Sequence, residues 1–494
     1  MKLRINQREI GGGRTYVIAE IGNNHNGSFE RAIEMIDQAV EAGADCAKFQ
    51  MRHLDEVYRK RSLRKDGEDL GTEYIVDLLH RFELSVEQHR KLFDYCRGKG
   101  VEYLCTPWDE RSVAVLEEFG VPAYKVASAD LTNLPLLEVL ARTGKPLILS
   151  TGMSLTEEVQ ATVEFLNARR VEYVLLHCNS TYPAPLHDIN LKWIGELRKI
   201  HPLVGYSGHE RGINVSLAAV ALGACVIERH FTQDRLMEGP DHAASLTQAE
   251  FRQMTDGIRE IETALGDGSA RRLSQGEMIN RENLGKSLVA TRPLKAGTVL
   301  AVQDIKIRGP GQGLSPQKLP QLVGRTLARD MREEDFFYPT DLADSRVEPR
   351  AYRFERPWGV PVRYHDFKEY AARISPDLWE FHLSYSDMDL NPADYLEGTY
   401  PADYVVHAPE LFSGSRLMDL ATPDDAYRND SIRETQRVID ITRSLKKYFP
   451  RTKRPMIVAN IGGFTMDEPL PASALQGYYE RFGRSLEQLD LEGV

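Results

Sequence analysis

Two histidines, two lysines and a set of serines and carboxylates recur at the ends of short apolar runs in this chain. His209 and His230 are imidazoles that can share one divalent cation, and two of them with open positions suit a substrate-binding site, not a closed structural one. Lys48 and Lys125 end two other runs, and an ammonium inside a protein needs an anionic partner. That partner is either an internal carboxylate, Glu20 or Glu228, or the carboxylate or phosphate of a substrate. Ser128, Ser150, Ser180 and Ser207 stand at further run ends as neutral donors. Residues i and i+2 of a strand share a face, so Lys48 projects with Gln50, and Glu228 with His230.

The elements that must position these groups are eight apolar runs: Tyr16–Glu20, Asp45–Gln50, Val101–Thr106, Ala123–Ser128, Leu147–Ser150, Tyr173–Cys178, Leu203–Ser207 and Cys225–His230. Helix-length segments separate them. Ser28 caps one that runs to Glu41, and Ser85 opens another that runs to Arg97. Strands alternating with helices imply a parallel sheet, and eight repeats imply an α/β fold of the closed (β/α)8, or TIM-barrel, type. Such barrels carry their chemistry at the carboxyl ends of the strands, where the polar residues above stand. Residues 52–80 form a long charged loop with Arg59-Lys60-Arg61 and Arg64-Lys65, which reads as a lid, an interface element or a solvated charge run.

At 494 residues the chain is too long for one core. The barrel is expected within residues 1–280, a small β-rich module within 284–345 and a third, βα-type unit within 350–494. Ser287–Thr291, Leu294–Leu300 and Ile305–Arg308 read as strands of the module, with Lys295-Ala296-Gly297 as a hairpin turn. The third unit has four apolar runs, with a helix over about 431–448, and His365, Asp366, Glu380, His382, His407 and Glu410 at or near strand ends could bind a metal. Four units fit an open α/β domain, a half that completes itself by association, or a truncated barrel. The net charge of −11 argues against a nucleic-acid-binding surface. No apolar run reaches membrane-spanning length and the N-terminus lacks a signal-peptide pattern, so a cytoplasmic location is expected, in keeping with five cysteines without CxxC spacing.

Ala19-Glu20-Ile21-Gly22-Asn23-Asn24-His25-Asn26-Gly27-Ser28, followed by Ala47-Lys48-Phe49-Gln50, resembles the opening of the sialic acid (nonulosonic acid) synthase family. The later motifs resemble that family too: Lys125-Val126-Ala127-Ser128, Ser150-Thr151-Gly152-Met153, Leu176-His177-Cys178 with Thr181-Tyr182-Pro183, Gly205-Tyr206-Ser207-Gly208-His209, and Ile227-Glu228-Arg229-His230-Phe231-Thr232. Residues 286–343 resemble the family's antifreeze-like (SAF) module, and the C-terminal unit resembles the first half of a sugar isomerase/epimerase (xylose isomerase-like) barrel.

The resemblance implies condensation of phosphoenolpyruvate with an N-acetylmannosamine-type sugar, an N-acetylated hexosamine, giving an N-acetylneuraminate- or legionaminate-type acid and phosphate. It implies Mn2+, or alternatively Mg2+ or Co2+, on His209 and His230. Lys48, Lys125, Ser128, Ser150, Ser180 and Ser207 would hold phosphoenolpyruvate, while Glu20, Gln50, Asp130, Tyr182 and Asp241 would address the sugar or move protons. A homodimer exchanging SAF modules would bring Arg308 to the partner's sugar. Two positions depart from the family pattern: Asn179-Ser180 after the His-Cys pair, and Gly309 between Arg308 and Pro310. The other readings are a phosphoenolpyruvate aldol synthase acting on a sugar phosphate, for which Arg59–Lys65 is the candidate second phosphate site, and a noncatalytic sugar-binding or scaffold protein.

Overall fold

A computed structural model describes residues 2–59, 70–343, 354–465 and 469–494. The chain forms two compact units, Met1–Ser274 and Gln275–Val494. The basic residues Lys60, Arg61, Arg64 and Lys65 lie outside the described residues.

The first unit opens with a hairpin of β1 (Leu3–Ile5) and β2 (Arg8–Ile10), followed by the eight barrel strands. These are β3 (Tyr16–Gly22), β4 (Cys46–Met51), β5 (Glu102–Pro107), β6 (Tyr124–Val126), β7 (Leu147–Ser150), β8 (Tyr173–Cys178), β9 (Val204–Gly208) and β10 (Val226–His230). They hydrogen-bond in parallel in the order β5-β4-β3-β10-β9-β8-β7-β6. Seven of the eight neighbour pairs of a ring are thus laddered, and β5 runs beside β6 at the remaining seam. The expected barrel is observed, each strand within two or three residues of its apolar run. Ser28 accepts from the Arg31 N–H and caps the helix Phe29–Glu41, and Ser85 with Gln88 closes a capping box on Val86–Lys99.

Period-two alternation explains both the stability of the barrel and the location of its chemistry. Odd-facing residues such as Val17, Ala19, Ala47 and Phe49 join the core beneath the surrounding helices. Inward-facing Ile18, Cys46, Leu104, Ala123, Ile148, Leu176 and Val226 form a second core with Leu3, Ile5 and Ile10 of the hairpin. Fully burying such a residue contributes about 1.5–3 kcal/mol, so the hairpin closes the amino end of the barrel with apolar surface. The sequence reading did not anticipate it. Two residues further along the same inward rows stand Glu20, Lys48, Thr106, Lys125, Ser150, Cys178 and Glu228.

In the second unit β11 (Ser287–Ala290) pairs antiparallel with β12 (Ile305–Arg308). Here the expectation needs correcting. Lys295–Thr298 is a turn, as expected, but its flanks do not pair with each other as a hairpin; they bridge to distant residues, Leu294 to Met331 and Val299 to Thr326. Further on, β13 (Gly359–Val362), β14 (Leu378–His382), β15 (Asp403–His407) and, after a short β16–β17 hairpin (Leu411–Phe412, Arg416–Leu417), β18 (Met456–Val458) follow. β13, β14, β15 and β18 form a parallel sheet in that order, with β13 and β18 at its edges. The helix expected at about 431–448 spans Asp425–Leu445. Among the described residues no helix is long and apolar enough to cross a membrane.

Candidate active site

At the carboxyl end of the barrel, Glu20, Lys48, Gln50, Lys125, Ser128, Ser150, Ser180, Tyr182, Ser207, His209, Glu228 and His230 line one cavity of about 250 Å³. Twelve side chains from seven strands and the loops after them thus converge as the alternation requires.

Two buried lysines organise it. Lys48 sits opposite Glu20 in the β3–β4 register, and its Nζ lies 2.7 Å from Glu20 Oε2 and 3.8 Å from Glu228 Oε1. It also donates to Thr106 Oγ1 at 3.2 Å. Burial opposes the ammonium, but Glu20 and Glu228 outweigh it and hold the Lys48 pKa above the usual lysine value. Lys125 donates to Ser150 Oγ and to the Val126 carbonyl, both at 2.7 Å, and lies 3.9 Å from Glu228 Oε1. With that more distant carboxylate, burial wins and its pKa falls. Glu228, hydrogen-bonded by Ser207 at 3.1 Å, is also penalised by burial, yet the two lysines hold it below the carboxyl range. Glu20 is raised above that range by burial, with Lys48 pulling the other way and Glu228 adding to the rise.

The glutamates are thus the lysines' internal partners. Gln50 donates to Glu20 Oε1 at 2.7 Å, and Gly22, in a left-handed conformation at φ 53°, gives the pair room: a Cβ there would lie 2.9 Å from Glu20 Oε1. Across the cavity, Gly152 does the same for two serines, since a Cβ would stand 2.3 Å from Ser180 Oγ and 2.8 Å from Ser128 Oγ. Lys125, Ser150, Ser128 and Ser180 make a donor-rich wall with the character of an anion pocket.

His209 and His230 face each other with ring centroids 5.3 Å apart, and Tyr182 stacks on His209 at 4.0 Å. His209 Nδ1 meets the Asn179 carbonyl at 2.6 Å, which fixes Nδ1 as the protonated nitrogen and leaves Nε2 a lone pair. His230 Nδ1 is buried without a hydrogen-bond partner and lies 3.9 Å from Asp241 Oδ2. Burial pushes the His230 pKa well down, keeping it a neutral ligand. Burial also raises Asp241. An orphaned buried nitrogen beside a second available imidazole is a donor set that fits a divalent cation.

Two expected residues lie elsewhere. β6 ends at Val126 and the chain turns into a 3-10 helix, Ser128–Asp130, which ends the strand alternation. Asp130 consequently turns off the cavity wall and accepts from Asn133 at 2.9 Å. Arg308 ends β12 in the second unit, 60% exposed and 4.0 Å from Glu334. Sequence reasoning passed over Thr106, Trp108 and Arg52. Thr106 ended a named run and could have been found by the same rule. Arg52 sat within a loop read only as charged; its guanidinium donates to Gln50 and stacks 4.8 Å above the Trp108 ring.

Residues 35–270 match the NeuB family and residues 285–343 the SAF domain. The chain is 37% identical over 329 residues to the N,N'-diacetyllegionaminic acid synthase of Campylobacter jejuni, covering 65% of this chain and 98% of that one. It is 37% identical over 335 residues to the N-acetylneuraminate-9-phosphate synthase of Homo sapiens, covering 66% and 93%. The crystal structure of N-acetylneuraminic acid synthetase from Leptospira borgpetersenii in complex with citrate aligns with a TM-score of 0.51 at 32% identity, over 57% of this chain and 97% of that one. A chain with a barrel of this topology that covers nearly the full length of two synthases at such identity belongs to the NeuB family, which condenses phosphoenolpyruvate with a sugar.

Proposed function

We propose that the barrel mouth condenses phosphoenolpyruvate with an N-acetylated hexosamine to form a nonulosonic acid and phosphate, in the cytoplasm. The observation that carries this reading is the pair of buried lysines, 3% and 2% exposed, held in one cavity with two imidazoles and four serines. Lys125, Ser150, Ser128 and Ser180 bind the phosphoenolpyruvate anion, and Lys48 answers its second charge. Gln50, Tyr182 and Asp241 stand towards the acceptor; Asp130, turned away from the cavity, would act only through Asn133 and the turn it anchors. Positioning the two substrates together is itself a large part of the rate.

His209 and His230 would hold a divalent ion, Mn2+ foremost with Mg2+ or Co2+ as alternatives, and that ion would polarise the acceptor's aldehyde as a Lewis acid. A carbon–carbon bond forms between the methylene of phosphoenolpyruvate and the aldehyde carbon. Water adds at the former enol carbon, and the carbon–oxygen bond to phosphate then breaks. One of the two carboxylates that burial raises, Glu20 or Asp241, accepts the water's proton. A homodimer exchanging SAF modules, with Arg308 reaching the mouth of a second copy, completes the proposal. Mixing inactive Lys125→Ala and Arg308→Ala chains would restore activity if mouths and arginines are shared between copies, and would not if each copy is self-sufficient.

The test of the function is phosphate release from phosphoenolpyruvate with a panel of N-acetylated hexosamines, free and phosphorylated, with and without EDTA. Release with a free sugar supports the reading, release only with a phosphorylated one moves the acceptor to the sugar-phosphate class, and no release with any defeats it. Full turnover in EDTA would defeat the metal role alone.

A further inference from the structure

A second group of metal-ligating side chains stands outside the barrel, in the four-stranded sheet. Glu380 and His382 are two residues apart on β14 and leave the same face of the strand. His407 is the last residue of β15 and the register partner of His382. At the carboxyl ends of these parallel strands three donor atoms converge. His382 Nε2 lies 2.9 Å from Glu380 Oε1, His407 Nδ1 lies 3.3 Å from the same oxygen, and the two ring nitrogens are 3.3 Å apart. Among the described residues, this is the one group of three His, Cys, Asp or Glu side chains whose donor atoms all lie within 4.8 Å of one another.

Those separations match one face of a coordination polyhedron. Bonds of ~2.0–2.1 Å in a tetrahedron put the donor atoms roughly 3.3 Å apart. Hydrogen bonding within the trio satisfies it less well. Whichever ring nitrogens carry protons, one contact stays unfavourable: two N–H groups facing each other, or an imidazole lone pair facing the carboxylate. A cation among the three removes the conflict.

The surroundings leave room for more than an ion. The group opens on a cavity of about 360 Å³ whose walls include Arg363, Asp366 and Glu410. The side chains of His382, His407 and Glu380 are 43%, 27% and 31% exposed, so ligand positions would face the cavity. In open α/β sheets ligands sit outside the carboxyl ends of the strands, which is where this group lies. We propose that Glu380, His382 and His407 bind one divalent transition-metal ion of the Zn2+ or Co2+ kind, separate from any ion of the barrel mouth. Its open positions suit a small oxygen-donor ligand.

The test uses the full chain stripped of metal and titrated with Co2+, followed by visible absorption and equilibrium dialysis. The background is a His209→Gln/His230→Gln variant, which removes the barrel's imidazoles. The expected result is one Co2+ retained per chain in that background, with affinity falling on the order of 100-fold when His382→Gln or His407→Gln is added. Glu380→Gln, which keeps shape and removes the charge, should weaken binding as well, and circular dichroism reports whether each variant is folded. No Co2+ retained in the background variant would mean a hydrogen-bonded trio without an ion and would overturn the proposal. Retention indifferent to all three substitutions would overturn it equally.

Discussion

The barrel mouth and the carboxyl end of the C-terminal sheet use the same materials: imidazoles and carboxylates two residues apart on parallel strands. They differ in enclosure. In the barrel, Glu20, Lys48, Lys125, His209, Glu228 and His230 are at most 5% exposed, because eight strands and their loops surround them. Each charge must then find its partner inside the protein, and the two lysines are matched by two glutamates. In the sheet, four strands leave the mouth open, and Glu380, His382 and His407 keep contact with water. The number of strands that close around a set of residues, not their identity, decides whether their charges act in a desolvated pocket where each is worth more.

That contrast can be broken by exchanging which region is damaged. Lys125→Met and His230→Ala should each lower kcat/KM for condensation by about 10²–10³-fold, the usual cost of removing one preorganised charge stabiliser. His407→Ala should leave it unchanged. Steady-state phosphate release measures all three, and equal losses at His230 and His407 would mean that the two regions do not act separately.

Stability should follow the same division. Lys48→Met leaves Glu20 buried without its 2.7 Å partner, and breaking a buried pair costs about 3–5 kcal/mol. Lys368→Met removes a 2.6 Å pair with Glu397 in which both groups are exposed, and should leave the denaturation midpoint unmoved. Denaturant titration compares them, and the double variant Lys48→Met/Glu20→Gln should recover much of the loss. If Lys48→Met is as mild as Lys368→Met, enclosure is not what sets the worth of these charges.

How far such positions could be read in advance depended on whether alternation held. It held on β3, β4 and β10, so Glu20, Lys48, Gln50, Glu228 and His230 were legible as inward, carboxyl-end residues. It failed at Asp130, where the strand gives way to a 3-10 turn before that residue is reached. Arg229 shows a subtler limit. It faces outward between two site residues, yet the helix layer buries it fully and Glu210 pairs with it at 2.8 Å, because the outside of a parallel barrel is also interior. The N-terminal hairpin escaped notice because its strands are three residues each, too short to show a period. The true neighbours of the Lys295–Thr298 turn lie some thirty residues away in the chain, beyond any local pattern.

Acid sharpens the picture of the enclosed unit. His89 is wedged against Phe49 and Tyr103, with Nδ1 3.0 Å from Tyr103 Oη, and burial pushes its pKa down to about 4. The unfolded chain has the ordinary value of about 6.5, so it binds the proton first as pH falls. The neutral ring's contribution is therefore complete above pH ~6.5 and is lost as pH falls towards about 4. The cost at pH ~5 is on the order of 2 kcal/mol. Melting temperatures across that range should fall, and His89→Gln should flatten the slope. An unchanged slope would mean that this ring is not held neutral by enclosure.

The smallest and most local test is Gly152→Ala. A methyl group there would stand 2.3 Å from Ser180 Oγ and 2.8 Å from Ser128 Oγ, closer than any Cβ contact allows, so both hydroxyls must swing away from the position they now share. Neither serine carries charge, and Lys125 keeps Ser150 and the Val126 carbonyl, so the electrostatic frame of the mouth survives. What is weakened is one or two hydroxyl hydrogen bonds to the anion, worth about 1.5–3 kcal/mol each when fully lost. The expected outcome is a rise of roughly tenfold in KM for phosphoenolpyruvate, with kcat and the acceptor's KM little changed. A collapse of kcat instead would show that the serine wall acts on the transition state and not on substrate binding, and would move the centre of the chemistry from the lysine–glutamate frame to the loop that follows β7.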